Sequence, residues 1–197
     1  MIQMDMKYKL FIIALCMVLV LSVTTVSSAQ ETETNGEMTL SPSPAMTITP
    51  TPDYLLPYPG ILPDSPLYGF KTLRDKIVSI MIGDPLKKAE FDLLQADKRI
   101  GAALQLLKTG NKEKQLVALS TISKGQNYYE EAIEKLAEAR KQGTGVTIID
   151  TNMKRAGATH IYLLQQAKKS VAKQLHPEMD QLIQRSISLR NRVKETK

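Results

Sequence analysis

Two histidines, one cysteine and twenty carboxylates are the groups of this 197-residue chain from which a reactive centre would have to be drawn. His160 lies in a helical stripe with Ala156 and Leu164 one turn away on either side, the setting of a packed imidazole with one satisfied hydrogen bond. A zinc site wants three or four ligands, and His176 is the one further ring nitrogen, so no metal is expected. A serine or cysteine nucleophile needs a neighbouring base and an oxyanion pocket. No G-x-S-x-G, no phosphate-binding glycine loop and no Glu-x-x-His pair occurs. The inward positions of the longest apolar stripes are aliphatic, which leaves no place for a carboxylate-bridged metal pair inside a bundle. The residues therefore point to a chain that is not an enzyme and carries no cofactor.

The remaining chemistry is charge. Lys and Arg number 26 against 20 Asp and Glu, a formal excess of +6. It gathers near the C-terminus in Arg185, Arg190, Arg192, Lys194 and Lys197, which are candidate contacts for an anionic polymer or lipid, with Lys168, Lys169 and Lys173 nearby. The competing reading is that these side chains solvate outer faces and complement helix C-termini. Nucleic acid is not an expected partner, because single strands stack on aromatic platforms and the expected exterior offers little beyond Tyr128 and Tyr162. Glu130, Glu131, Glu134, Lys135, Glu138 and Arg140 read as one solvated helix face, with Glu131 a turn before Lys135 for a surface pair.

The elements that position these residues begin after an export signal. Lys7 and Lys9 precede an apolar run from Leu10 to Val23, and Ser27 and Ala29 suit the −3 and −1 positions of a cut before Gln30. Residues 1–29 are thus expected to be a signal peptide. An uncleaved anchor is the rival, but the run is short for spanning a bilayer. Cys16 sits inside the apolar run, too early for a lipidated cysteine, and its removal would leave a chain without a thiol. Residues 30–56, rich in Pro, Ser and Thr, are expected to be a disordered linker because they cannot bury enough apolar surface to offset their ordering entropy.

Residues 57–197 are expected to form a helical domain. Asp64, Ser65 and Pro66 read as a helix start, and so do Asp84 and Pro85 after Gly83. Five helices are expected, at about Pro66 to Ile82, Pro85 to Lys108, Lys112 to Gln142, Ile148 to Gln174 and Glu178 to Val193. In the first, Leu67, Phe70, Leu73, Ile77, Ile80 and Met81 share a face, with Lys71, Arg74, Asp75 and Lys76 on the other, and the greasy junction of Ile61, Leu62, Leu67, Tyr68 and Phe70 is expected to fold back on the bundle. In the last, Met179, Leu182, Ile183, Ser186, Leu189 and Val193 are the inward set. Gly125 inside the third helix suits close helix packing, and Gly143-Thr144-Gly145 is a turn. Val146 to Ile149 has the composition of a short strand, but nothing nearby would pair with it. Long helices joined by short turns lie antiparallel, so the fold class is an all-α, antiparallel up-and-down bundle of about five helices.

The run Leu62-Pro63-Asp64-Ser65-Pro66-Leu67-Tyr68, followed by Lys71, Leu73 and Asp75, then Asp84-Pro85, Lys87-Lys88-Ala89-Glu90 and Ala96-Asp97-Lys98-Arg99, resembles an uncharacterised exported all-helical family of prokaryotes. The resemblance covers Leu56 to about Glu134 and implies a secreted or membrane-tethered domain, with no activity or site to carry over. Spacing further suggests a polar clasp of Asp97, Lys98 and Arg99 against Arg74 and Asp75. The expectation from all of these features is an exported module, extracellular or at the cell envelope, that binds a partner protein or cell-surface component. An electrostatic binder working through the basic C-terminal helix is the alternative.

Overall fold

The computed structural model describes residues 54–109 and 111–195. The signal segment, most of the linker and Lys197 lie outside the described residues. Five α-helices follow in order: α1 (Tyr68–Met81), α2 (Pro85–Leu107), α3 (Lys112–Lys141), α4 (Thr147–Lys168) and α5 (His176–Glu195), the last preceded by a 3-10 turn at Lys173–Leu175. No strand occurs among the described residues, so the chain is all-α and the Val146 to Ile149 run enters a helix.

Local chemistry explains most of the boundaries. Asp84 accepts the Lys87 amide at 2.8 Å and Pro85 takes the first position of α2, as the sequence predicts. Asn111 caps α3 by accepting the Glu113 amide at 2.8 Å. At the far end of α3, Gly143 adopts φ +76°, Gly143 N donates to the Arg140 carbonyl and Thr144 N to the Ala139 carbonyl, which together close a Schellman turn. Two of the boundaries that differ from expectation have a visible cause. The turn at Asp64, Ser65 and Pro66 precedes α1 instead of opening it: Ser65 Oγ accepts the Leu67 amide at 3.3 Å, and Asp64 pairs with Lys114 of α3 at 3.0 Å. α4 stops at Lys168 instead of reaching Gln174. The buried side chain of Gln115 satisfies the loop that follows, donating to the Ser170 carbonyl and accepting the Ala172 amide.

Consecutive long helices run antiparallel, but the order around the bundle is α2, α3, α5, α4. Two antiparallel hairpins, α2–α3 and α4–α5, therefore lie side by side with like-directed helices in contact: α3 follows α5 from Gln115 near Ser170 up to Glu130 near Arg192, and α2 follows α4. α3 and α4 are joined by a short loop yet face each other across the centre. Tyr129 bridges that distance, donating its hydroxyl to the Met153 carbonyl at 2.6 Å. Gly157 makes room for it, since a Cβ there would stand 2.6 Å from Tyr129 Oη. Gly125 has the matching role between α3 and α2, where a Cβ would lie 3.2 Å from Arg99 Cβ and 3.3 Å from the Ala96 carbonyl.

The core has two aliphatic layers. One contains Leu93, Ile133, Leu136, Met153 and Val193, and the other Ile100, Leu107, Ile122, Leu164 and Met179. Between them lie buried polar residues from every long helix, among them Asp97 from α2, Gln126 from α3, His160 from α4 and Ser186 from α5.

Candidate functional site

Asp97 anchors the polar layer at 2 % exposure. One carboxylate oxygen lies 2.7 Å from His160 Nε2, and the other accepts the Tyr54 hydroxyl at 2.6 Å. Burial, with the Asp97 hydrogen bond second, drives the Tyr54 phenol well above its usual range. Burial and then the charge on Asp97 do the same to Tyr129, whose ring meets His160 edge-on at 5.6 Å between centroids. On the other side Gln126 Nε2 donates to the Leu182 carbonyl at 2.6 Å and to Ser186 Oγ at 2.8 Å. The cavity in this layer, lined by Gln126, Tyr129, Gly157, His160, Ser186 and Leu189, measures about 10 Å3. That is room for one water and not for a substrate. Among the described residues no group of three or more His, Cys, Asp or Glu side chains is placed to hold a metal. The arrangement ties helices together at fixed heights, a register device of the kind buried polar groups serve best.

The Asp97-Lys98-Arg99 group does not form the clasp that spacing suggests. Asp97 turns inward to His160 and Tyr54, while Arg99 reaches Tyr68 of α1, donating to its hydroxyl, and stacks its guanidinium over the rings of Tyr68 and Tyr128 at 5.5 and 5.2 Å. Asp75 is buried on α1 and takes Nε and Nη2 of the adjacent Arg74, the latter at 2.7 Å. Lys71 donates to the carbonyls of Pro59 and Ile61, clamping the turn at Gly60 (φ +71°), and burial lowers its affinity for a proton.

These contacts settle which way α1 faces. Tyr68, Lys71, Thr72, Asp75 and Ser79 share one side of the helix, and that polar side meets the bundle. The apolar stripe is turned outward: Phe70 is 74 % exposed, Ile80 76 % and Met81 79 %, with Leu73 and Ile77 also more than half exposed. Of the junction expected to fold back on the bundle, Leu62 packs against the core and Tyr68 meets Arg99, whereas Ile61, Leu67 and Phe70 stay exposed. α1 is also not among the closely packed helix pairs. Most of the exposed large apolar side chains among the described residues fall between Leu55 and Met81.

The basic residues of α5 are dispersed. Arg185 donates to Glu130 Oε2 at 3.0 Å and to Asn127, and Arg192 to Glu130 Oε1. These hydrogen bonds, Arg192 first, hold the Glu130 carboxyl below its usual range. Arg190 lays its aliphatic stem against Gly157 with Nε buried, and Lys194 is exposed. Glu131 approaches Lys88 at 3.9 Å rather than Lys135, which pairs with Glu138 at 2.7 Å.

Sequence reasoning missed Tyr54, which composition assigns to the linker, and the burial of Asp92, Asp97 and Arg99. A signal for Asp97 was present, since Leu93, Ala96, Asp97 and Ile100 follow the three- and four-residue steps of a core face. Asp92, fully buried, is held by Lys88 at 2.6 Å, and burial raises its carboxyl despite that partner.

No helix among the described residues is long and apolar enough to cross a membrane. Neither the curated proteins nor the solved structures contain a match to this chain. A family profile does match, over residues 60–195, from the Gly60 turn through α1 and the whole bundle. The chain belongs to the family described as a domain of unknown function, DUF5667.

Proposed function

We propose that this protein is an exported, non-catalytic helical module that attaches to a component of the cell-envelope surface through the outward apolar face of α1. The observation that carries the reading is the inverted seating of that helix. Exposing Phe70, Leu73, Ile77, Ile80 and Met81 to water forgoes burial that would stabilise the fold by roughly 1.5–3 kcal/mol for each side chain. A contiguous apolar surface of that kind marks a place of contact with something else. The export signal and the linker in the sequence support the address. The cavity among the four long helices has room for one water, which supports a role for the surface over one for the interior. The basic C-terminal helix is the weaker candidate, because Arg185 and Arg192 converge on Glu130 and Arg190 is half-buried.

The test is site-specific photo-crosslinking on intact cells. A crosslinking residue at Ile77 is expected to form adducts with an envelope component, and one at Lys194 is expected to form few. Adducts at Lys194 with none at Ile77 would overturn the reading.

A further inference from the structure

The outward face of α1 combines an apolar arc with basic flanks. At 100° per residue, Phe70, Leu73, Ile77, Ile80 and Met81 fall within about 100° of the circumference, opposite Asp75. Lys76 borders the arc on one side and Arg74 on the other, the latter 62 % exposed even with Nε and Nη2 turned onto Asp75. Leu67, just before the helix, is exposed as well.

From this we infer that the occupant of the face is the lipid surface itself: α1 lies in the plane of an anionic membrane, its apolar arc among the acyl chains and Lys76 and Arg74 at the headgroup phosphates. The inference rests on the reading that α1 is the attachment face and names what it attaches to. A helix with one apolar and one polar side, basic at the boundary, is the form that interfacial helices take. Here the polar side is already used, through Tyr68, Lys71 and Asp75, to fix the helix on the bundle.

Two other occupants fit less well. A second copy would bring Arg74 and Lys76 near their own counterparts across the seam. Phe70, Leu73, Ile77 and Ile80 also supply only two heptads, short of the three or four that a coiled coil sustains. A partner helix would want a groove, but α1 is a convex ridge. The open groove of about 600 Å3 beside it is lined by Thr72, Lys76, Ser79 and Glu131 as well as by Leu73, Ile80 and Tyr128. No helix among the described residues can span a bilayer, so attachment by this element is peripheral.

The experiment uses the full chain with Cys16→Ser and a single environment-sensitive fluorophore on Ile77→Cys. A label at that position reports on α1 whether or not the N-terminal segment inserts by itself. Vesicles of equimolar phosphatidylcholine and phosphatidylglycerol are expected to blue-shift the label and protect it from an aqueous quencher, while phosphatidylcholine alone gives little change. Lys76→Gln is expected to weaken the effect about 5-fold, the loss of one basic charge at an anionic surface, with an unchanged melting temperature. A label at Ser120 on α3 is expected to stay accessible. An equal shift with neutral vesicles would overturn the headgroup contact. No shift with either, while Ile77 still crosslinks on cells, would overturn the membrane as occupant and leave attachment through α1 standing. No shift and no crosslink would overturn both.

Discussion

Asp97 holds the half of the buried polar layer that joins α2 to α4 and to Tyr54. Replacing it with Ala leaves the Tyr54 hydroxyl and His160 Nε2 without their acceptor in a site of 2 % exposure, and the expected loss is about 3 kcal/mol, read from chemical denaturation. Asp97→Asn keeps the shape and one acceptor and is expected to lose less. The glycines separate in the same way. Gly157→Ala pushes a methyl against Tyr129 Oη and is expected to cost about 1–3 kcal/mol, whereas Gly101→Ala meets nothing nearer than 3.7 Å and is expected to be tolerated. Glu130 gives the pH signature. Its proton affinity is depressed in the fold, so its contribution is complete above the ordinary glutamate value of about 4.3 and is lost as pH falls through the lower folded value. The stability gap between the native chain and Glu130→Gln, followed by thermal melts across pH, is expected to hold at neutral pH and close in acid.

At the scale of elements, α1 is held by side chains rather than by close helix packing. Arg99→Ala removes the donor to Tyr68 and the cation above two rings, and is expected to free α1 while the four long helices stay folded. Hydrogen exchange should then show faster exchange confined to Tyr68–Met81. This helix also marks the limit of what periodicity tells. The stripe of α5 was legible in full, and all six of its inward residues are buried, because a helix between two neighbours buries its apolar side. The same pattern in α1 identified an amphipathic helix correctly but gave the wrong side to the bundle. Periodicity shows that a face exists; the groove that receives the helix decides which face it takes. Here the groove offers the Arg99 guanidinium and the Tyr128 ring, which suit Tyr68 better than they suit Phe70. Asp84 and Pro85 were legible because a cap is a local arrangement. The end of α4 was not, because the groups that satisfy it come from Gln115, 55 residues away in sequence from Ser170.

For the whole molecule, the fold class and the five helices followed from apolar spacing and proline corners. The ring order α2, α3, α5, α4 did not, since short turns fix direction but not which hairpin lies beside which. The candidate site was legible only as a set of residues. Phe70, Leu73, Ile77, Ile80 and Met81 were read as one stripe, and their outward turn depends on tertiary contacts made by the opposite side of the same helix. The described residues thus form a bundle braced by a mid-plane polar layer, with an amphipathic helix fastened to it polar side down. The thermal melting of Phe70→Ser/Ile77→Ser/Ile80→Ser tests that picture most directly. With the three side chains already in water, each substitution is expected to stay within about 0.5 kcal/mol, and the melting temperature to remain within a few degrees of the native value. A fall of more than about 10 °C would mean that the three side chains are packed in the core, and α1 would have no outward face to offer.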